Sequence, residues 1–517
     1  MYKKICILFV LTLSACGSIT KKQVPPKTEF RGFWVATVVN IDWPKNPSDP
    51  IEKKKADYLE LLDFYQSLHF NAAIVQIRTA GDAFYPSELA PWSRFLTGTE
   101  GKAGEEYTTL LHWMIEETHK RGMEFHAWLN PYRATFDLNT EILSEFHDFN
   151  THPDWLLRYG KKYYYNPGLP EVQEHILNII KEVVENYDID AIHFDDYFYP
   201  YKIQGEEFND VAAYEEYAQP GQNIDDWRRE NVNTLIKQIH LYIRSSKPWV
   251  QFGISPFGVW RNADKDPKGS DTQAGQTTYD DLYADPITWM QKQWIDYMAP
   301  QLYWSMDYEV ASHRKLVNWW SKNSWNTPIY IGNGTYKIRN NDDTQWNRKK
   351  QIPKQIQLSR TTDNINGNIF FSAKSLINRH EDVVNYLKRK VYTRPALTPG
   401  TLKKETAELF SPEIQTSFQS ASQYSFVLEN VPQNTKKILV YSAGNSQKLS
   451  DNSAEYILSI APIDKNNTFH IAKEKIRKRQ VWGICFIDRY GNESEMLQME
   501  ITKGKNGNLT FSKKIQL

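Results

Sequence analysis

From residue 30 onward, short apolar runs of strand length alternate with segments of helical periodicity. The strand candidates are 31–39, 71–78, 124–130, 190–196, 251–257, 296–304, 328–334 and 368–373. Between them apolar residues recur at the spacing of one helix face, as in Tyr58, Leu59, Leu62, Tyr65 and Leu68, or Ile176, Ile179, Ile180, Val183 and Val184. Leu110, Leu111, Met114 and Ile115, and later Val232, Leu235, Ile236 and Ile239, repeat the pattern. Eight strands separated by helices predict crossover connections, hence a parallel sheet closed as a (β/α)8 barrel of the α/β class.

The pattern changes near residue 394. Arg394-Pro395-Ala396-Leu397-Thr398-Pro399-Gly400 reads as a linker, and β-type runs follow at 424–431, 437–442, 481–488 and 497–501, separated by turn residues such as Tyr490-Gly491-Asn492. These predict a C-terminal β-sandwich. The stretch Phe486 to Ser494 resembles the late strand and turn of fibronectin type III-like modules. The expected division is a signal segment over 1–15, a tether over 16–28, the barrel over 29–393, a linker over 394–405 and the sandwich over 406–517.

The run Asp190-Ala191-Ile192-His193-Phe194-Asp195-Asp196-Tyr197-Phe198-Tyr199-Pro200 carries the strongest chemical signal. Strand side chains alternate between faces, so Ala191, His193 and Asp195 share one face while Ile192 and Phe194 share the other. Asp195 or Asp196 could simply cap the following turn. Other strands end in the same way, however. Gln76 and Arg78 share a face on the second strand, His126, Trp128 and Asn130 on the third, Gln301 and Tyr303 on the sixth, with Ser255 on the fifth and Asn333 on the seventh. Polar groups at the carboxyl ends of barrel strands build active sites. Trp34, Trp43, Trp92, Tyr132, Tyr199, Trp260 and Trp304 surround this set, and loops add Arg133, Arg261 and Asp307.

Composition narrows the chemistry. The 62 basic and 62 acidic residues balance, which argues against nucleic acid or an anionic membrane surface as partner. The 17 Trp and 30 Tyr suit stacking on sugars, although a large core uses such rings too. No zincin motif, Walker loop or dinucleotide glycine fingerprint occurs, so neither metal nor cofactor is expected. Glycoside cleavage needs an acid for the leaving oxygen, and a carboxylate or the substrate's own acetamido group to stabilise the oxocarbenium-like centre. Asp195, pointing into the barrel, is the candidate nucleophile or stabiliser, and Asp196, at the strand-to-loop junction, the candidate acid. Asp307 and Glu309 are alternative acids, or members of a solvated loop. His193 is placed to hold Asp195 and Arg78 to keep it ionised. Trp34, Gln76, Trp128, Asn130, Tyr132, Arg133, Tyr197, Ser255, Trp260, Gln301, Tyr303, Trp304 and Asn333 are candidates for substrate binding.

The N-terminus reads as a targeting segment. Lys3 and Lys4 precede a short apolar run, Ile5 to Leu13, too short to span as a mature helix, and Leu13-Ser14-Ala15-Cys16-Gly17 resembles a bacterial lipobox. Cleavage before Cys16 and its lipidation would anchor a monomeric protein to a membrane of the cell envelope. Of three cysteines only Cys485 then remains as a thiol, in an apolar run that suits a small buried hydrophobe.

Several motifs together resemble glycosyl-hydrolase-like family 10. They are Phe30-Arg31-Gly32-Phe33-Trp34-Val35-Ala36-Thr37, Val75-Gln76-Ile77-Arg78 through Tyr85, Ala127-Trp128-Leu129-Asn130-Pro131-Tyr132-Arg133, Ile192 to Pro200, Gly253-Ile254-Ser255-Pro256-Phe257-Gly258 and Pro300-Gln301-Leu302-Tyr303-Trp304. The resemblance covers roughly residues 29–350. It implies a (β/α)8 barrel that hydrolyses glycosidic bonds in a bacterial glycan, with Asp195 and Asp196 as the family's acidic pair. It also implies peptide-free peptidoglycan as the first polysaccharide substrate to try. Ser305-Met306-Asp307 departs from the family pattern, so the resemblance assigns no role to Asp307 or Glu309. A glycan-binding lipoprotein without activity, and a deacetylase or transglycosylase on the same barrel, are the competing readings.

Overall fold

The computed structural model describes residues 25–400, 412–444, 449 and 453–513. Residues 1–24, with the lipobox and Cys16, lie outside the described residues. Eight parallel strands close a barrel: β1 (Phe30–Val35), β2 (Ala72–Arg78), β3 (Glu124–Leu129), β4 (Ala191–Phe194), β5 (Gln251–Ile254), β6 (Tyr297–Met298), β7 (Ile329–Asn333) and β8 (Ile365–Phe370). Each pairs with the next in chain order, and β8 returns to β1 with Phe30 opposite Gly367. A helix follows every strand: α1 (Ile51–Ser67), α2 (Leu110–Lys120), α3 (Pro170–Asn186), α4 (Ile224–Ser246), α5 (Pro286–Gln291), α6 (His313–Lys322), α7 (Gln351–Thr361) and α8 (Glu381–Tyr386).

The predicted strands overlap the observed ones, running two to four residues past the ends of β1, β4, β5 and β8, and differ most at the sixth. There 296–304 shrinks to a two-residue ladder, because Pro300 has no amide hydrogen to continue it. Beyond it the chain keeps its place through single bridges from Gln301 to Phe257 and to Gly332. Outward-facing side chains of β2 to β4, such as Val75, Phe125, Ile192 and Phe194, pack on the amphipathic helices in one large core. The barrel interior is filled by aromatics and small residues, among them Phe30, Tyr297 and Tyr330, with Phe30 and Tyr330 stacked at 4.0 Å. Gly253 makes this filling possible, since a Cβ there would lie 1.9 Å from the ring of Tyr297.

Within the barrel domain a β-hairpin has no counterpart in the sequence pattern. Leu156–Tyr159 and Lys162–Tyr165 form a β-hairpin in the loop after β3, turning at Gly160 with φ +56°. It is pinned to the strand end by hydrogen bonds from the amides of Ala134 and Thr135 to the Tyr163 carbonyl, 3.1 Å each.

The C-terminal module is an antiparallel β-sandwich. Its strands are β9 (Glu413–Gln419), β10 (Gln423–Glu429), β11 (Thr435–Ala443), β12 (Ile457–Pro462), β13 (Thr468–Ala472), β14 (Arg479–Asp488), β15 (Leu497–Lys503) and β16 (Leu509–Lys513). One sheet has the order β9-β10-β13 and the other β12-β11-β14-β15-β16. Phe426, Phe469, Trp482 and Phe486 fill the space between them, and Cys485 is buried in the five-stranded sheet. The segment before the module packs on the barrel, with the Leu397 amide bonded to the Lys27 carbonyl at 2.9 Å. The module docks on the amino-terminal end of the barrel strands, where Asp188, Asp190 and Glu124 meet Arg489, Lys436 and Lys437. Among the described residues no helix is long and apolar enough to cross a membrane.

Candidate active site

At the opposite, carboxyl-terminal end of the strands lies a cavity of about 330 Å³. Alternation along the strands and the first loop residues beyond them deliver its walls. Trp34 comes from β1, Gln76 from β2, Trp128 and Asn130 from β3, Asp195, Asp196 and Tyr197 from the end of β4, Ser255 from β5, and Gln301 and Tyr303 from beyond β6. Val38, Val39 and Ile41 form an apolar lip, and Phe136, Lys162, Tyr201 and Phe371 complete the mouth.

Asp195 and Asp196 are both buried, at 4% exposure each. Burial raises the Asp195 carboxyl, the neighbouring Asp196 charge raises it further, and the result is about 7 despite the opposing pull of Arg133, the Tyr197 amide and the Trp128 indole. The Tyr197 amide donates to Asp195 Oδ1 at 3.2 Å. Burial raises Asp196 as well, but the Tyr201 hydroxyl donates to its Oδ2 and, with Arg133, offsets part of the effect. Two neighbouring carboxyls raised together titrate as a pair.

Hydrogen-bond donors dominate the rest of the lining. Gln76 Oε1 accepts from the amides of Thr37 and Val38 at 3.0 Å each, and its Nε2 donates to Asn130 Oδ1 at 2.9 Å. That orientation leaves Asn130 Nδ2 buried without a partner; Arg133 Nε has none either, and the Trp128 indole acts on Asp195 only from outside hydrogen-bond geometry. Buried donors without acceptors are costly. Three around one cavity suit a ligand rich in oxygen. The Arg133 guanidinium lies 4.3 Å from the centre of the Tyr197 ring and donates to the Thr79 carbonyl at 3.3 Å.

His193 lies below the cavity and does not hold Asp195. Its Nε2 accepts from the Trp34 indole at 3.1 Å and lies 3.0 Å from Ser255 Oγ. With Nε2 accepting, its Nδ1–H donates to Tyr297 Oη at 2.8 Å, Tyr297 donates to His126 Nδ1 at 2.9 Å, and His126 Nε2–H donates to Glu124 at 3.2 Å. Burial drives the His193 imidazolium well below its usual range, consistent with a neutral ring.

Other predicted site residues also settle elsewhere. A β-bulge between Gln76 and Arg78 interrupts the alternation, and Arg78 turns to the Tyr165 hydroxyl at 3.3 Å rather than to Asp195. Asn333 is buried in a network with Gln355 and Asn368 at 2.9 and 2.8 Å. Tyr132 is fully buried, Trp260 stacks on Trp319 at 5.8 Å and Trp304 meets Phe257 edge-on; none of the three lines the cavity. Asp307 is solvent-exposed and paired with Arg314 at 3.1 Å, and Glu309 is exposed in the same loop. Neither reaches the acidic pair's cavity. Lys162 and Tyr201 were not anticipated. Tyr201 directly follows the motif ending at Pro200, whereas Lys162 sits on a hairpin whose placement no local pattern announces.

A larger cleft of about 860 Å³ lies alongside, between the loop after β4 and the start of α4. Its cations are already paired, Arg228 with Asp210 and Lys202 with Asp281, which leaves the mouth as the site with unspent polar groups. Among the described residues no group of three His, Cys, Asp or Glu could hold a metal ion.

The family model for glycosyl hydrolase-like 10 matches residues 29–348. The glycosyl hydrolase YngK of Bacillus subtilis is 50% identical over 377 residues, 72% of this chain and 73% of that protein. The glycosyl hydrolase DigH of Escherichia coli K12 is 34% identical over 426 residues, 75% of this chain and 96% of that protein. Among solved structures, the PgaB (BpsB) glycoside hydrolase domain of Bordetella bronchiseptica aligns over 73% of this chain and all of that one, at 12% identity and a TM-score of 0.47.

Proposed function

The chain belongs to the glycosyl hydrolase-like 10 family, and from that premise we propose that it is a glycoside hydrolase acting on a polysaccharide of the bacterial cell envelope, held at a membrane by lipid on Cys16. The observation that carries this reading is the buried pair Asp195 and Asp196 at the mouth of the barrel, both carboxyls raised by burial. Asp195, with its carboxyl raised to about 7, is the general acid and gives its proton to the leaving glycosidic oxygen. Asp196, hydrogen-bonded by Tyr201, is the ionised partner. These surroundings favour the reverse of the roles suggested by strand position alone.

The two carboxyls are adjacent in sequence and line one cavity, whereas direct displacement uses carboxyls that flank the scissile bond. An adjacent pair suits a reaction in which the substrate's own acetamido oxygen attacks the anomeric carbon while Asp196 orients the amide. The C–O bond breaks with the Asp195 proton leaving on the departing sugar. Water then opens the cyclic intermediate and returns a proton to Asp195. The unpartnered donors of Trp128 and Asn130 are available to acetamido and hydroxyl oxygens. An N-acetylated amino-sugar polymer is therefore the substrate class, and peptide-free peptidoglycan glycan is the first to test.

The test is digestion of that glycan by the full chain in detergent, with products read by mass spectrometry beside Asp195→Asn and Asp196→Asn. Oligosaccharides from the wild type and none from the variants are expected. A wild type that leaves this glycan and a panel of other N-acetylated polysaccharides intact would overturn the reading.

A further inference from the structure

The two cations at the mouth are not equally served. Arg133 acts on both Asp195 and Asp196, lowers both carboxyls and is their counter-charge. Lys162 lines the same cavity and is left over. Among the described residues neither Arg133 nor Lys162 forms an ion pair. Asp137, the carboxylate that acts on Lys162, is committed to Arg94 at 2.7 Å. The Lys162 ammonium instead sits 5.1 Å from the centre of the Phe136 ring. Burial and the repulsion of Arg133 push it down to about 8, as expected for a cation without a counter-ion.

Its position is built rather than incidental. The hairpin that carries Lys162 is fastened to the loop that carries Arg133, through a bridge between Arg133 and Tyr164 and a hydrogen bond from the Tyr165 amide to the Tyr132 carbonyl at 2.9 Å. Arg133 itself is 4% exposed, and its Nε–H is buried without an acceptor. Two cations are thus held against their mutual repulsion at the rim of a cavity, which costs stability unless an anion arrives with the ligand.

We propose that Lys162, backed by Arg133, binds a carboxylate carried by the glycan, so that the site selects an acidic amino-sugar polymer over a neutral one. This rests on the glycoside-hydrolase reading of the same site. Lys162 is a specificity residue in this account and takes no part in bond cleavage.

Binding to the full chain in detergent tests it, separately from cleavage. Two matched pairs of fluorescent oligosaccharides serve as probes: peptide-free peptidoglycan glycan, whose carboxylate is on a lactyl ether, and hyaluronan, whose carboxylate is on a uronate, each with a form in which every carboxyl is amidated. For at least one pair the wild type is expected to bind the carboxylate form about tenfold more tightly than the amide, the size of one charge-assisted hydrogen bond. Which pair responds identifies the carboxylate source. Lys162→Gln should reduce that preference to about twofold or less, and Lys162→Arg should restore it. Equal binding of both forms, undiminished preference in Lys162→Gln, or no binding of either pair overturns the proposal. Cleavage without carboxylate preference would leave the hydrolase reading standing and remove this one, whereas preference without cleavage would do the reverse.

Discussion

The two ends of this barrel bury the same kind of group and treat it in opposite ways. At the base, burial alone would raise the Glu124 carboxyl, yet the hydrogen bond from His126 and the ammonium groups of Lys437 and Lys436 bring it down to about 2. Asp190 beside it accepts from His119 and from the Phe125 amide, both at 2.8 Å, and meets Lys436. At the mouth, Asp195 is as deeply buried, but the charge that acts on it most is another carboxylate, and it rises to about 7. Carboxylates set among cations lock a module onto a barrel, and carboxyls set beside their like are held in readiness for a ligand. The contrast shows why burial alone does not identify a catalytic acid; the sign of the neighbours does.

The largest test of that contrast is removal of the like-charged pair. Asp195→Asn and Asp196→Asn should each lower the rate of glycan cleavage roughly 10²–10⁴-fold, while the thermal midpoint holds or rises, because a like-charge contact disappears. The mirror experiment is Asp190→Ala at the base. It strands Lys436 and His119 and should cost about 3–5 kcal/mol in denaturant unfolding, with cleavage at 25 °C retained. If Asp190→Ala abolished cleavage in a folded protein, the separation of the two ends would be wrong.

The pH dependence of stability should show both signs in one molecule. Glu124 has a folded pKa below its ordinary value of 4.5, so its contribution is complete above that value and is lost as pH falls towards about 2. Asp195 has a folded pKa above its ordinary 3.8. The native state therefore keeps a proton that the unfolded chain has released, and stability declines as pH rises from about 4 to about 7. Asp195→Asn should flatten that decline and leave the acid limb unchanged, as read from unfolding at a series of pH values. Arg133→Met is a smaller perturbation. Without the guanidinium both carboxyls should titrate higher, moving the pH–rate profile of cleavage upward while the thermal midpoint changes little. Smallest of all, Asp307→Asn and Glu309→Gln should alter cleavage by less than about twofold, since an exposed pair such as Asp307 with Arg314 contributes little. A large loss in either would return the acid to the loop after β6.

What could be read in advance follows the same division. The barrel was legible because each strand must hide one face against helices, and that requirement is written residue by residue at period two. Asp195 and most of the inner wall came from the same alternation, including Gln76, Trp128, Asn130, Ser255, Gln301 and Tyr303, whereas Asp196 came from its place at the strand-to-loop junction and Trp34 from the count of rings. The method failed where alternation stops. The bulge before Arg78, the network that takes Asn333 inward, and the packing of Trp260 on Trp319 depend on neighbours distant in sequence. Lys162 was invisible for another reason: the hairpin that places it is held by backbone hydrogen bonds to 132–135, and backbone bonds leave no mark on side-chain pattern. In the module, β9 is mostly exposed and β13 and β16 are short, so neither their hydrophobicity nor their length raised a signal.

An indole can only give a proton to a hydrogen bond and a carboxylate can only take one. The file of side chains from Trp34 through His193, Tyr297 and His126 to Glu124 therefore threads the barrel axis in a single sense, pointing from the mouth to the base. Each imidazole is committed to one tautomer, with His193 bare at Nε2 and His126 bare at Nδ1, two states that nitrogen-15 shifts distinguish. Trp34→Phe would remove the stop at the mouth and leave Glu124 alone to hold the file in its sense.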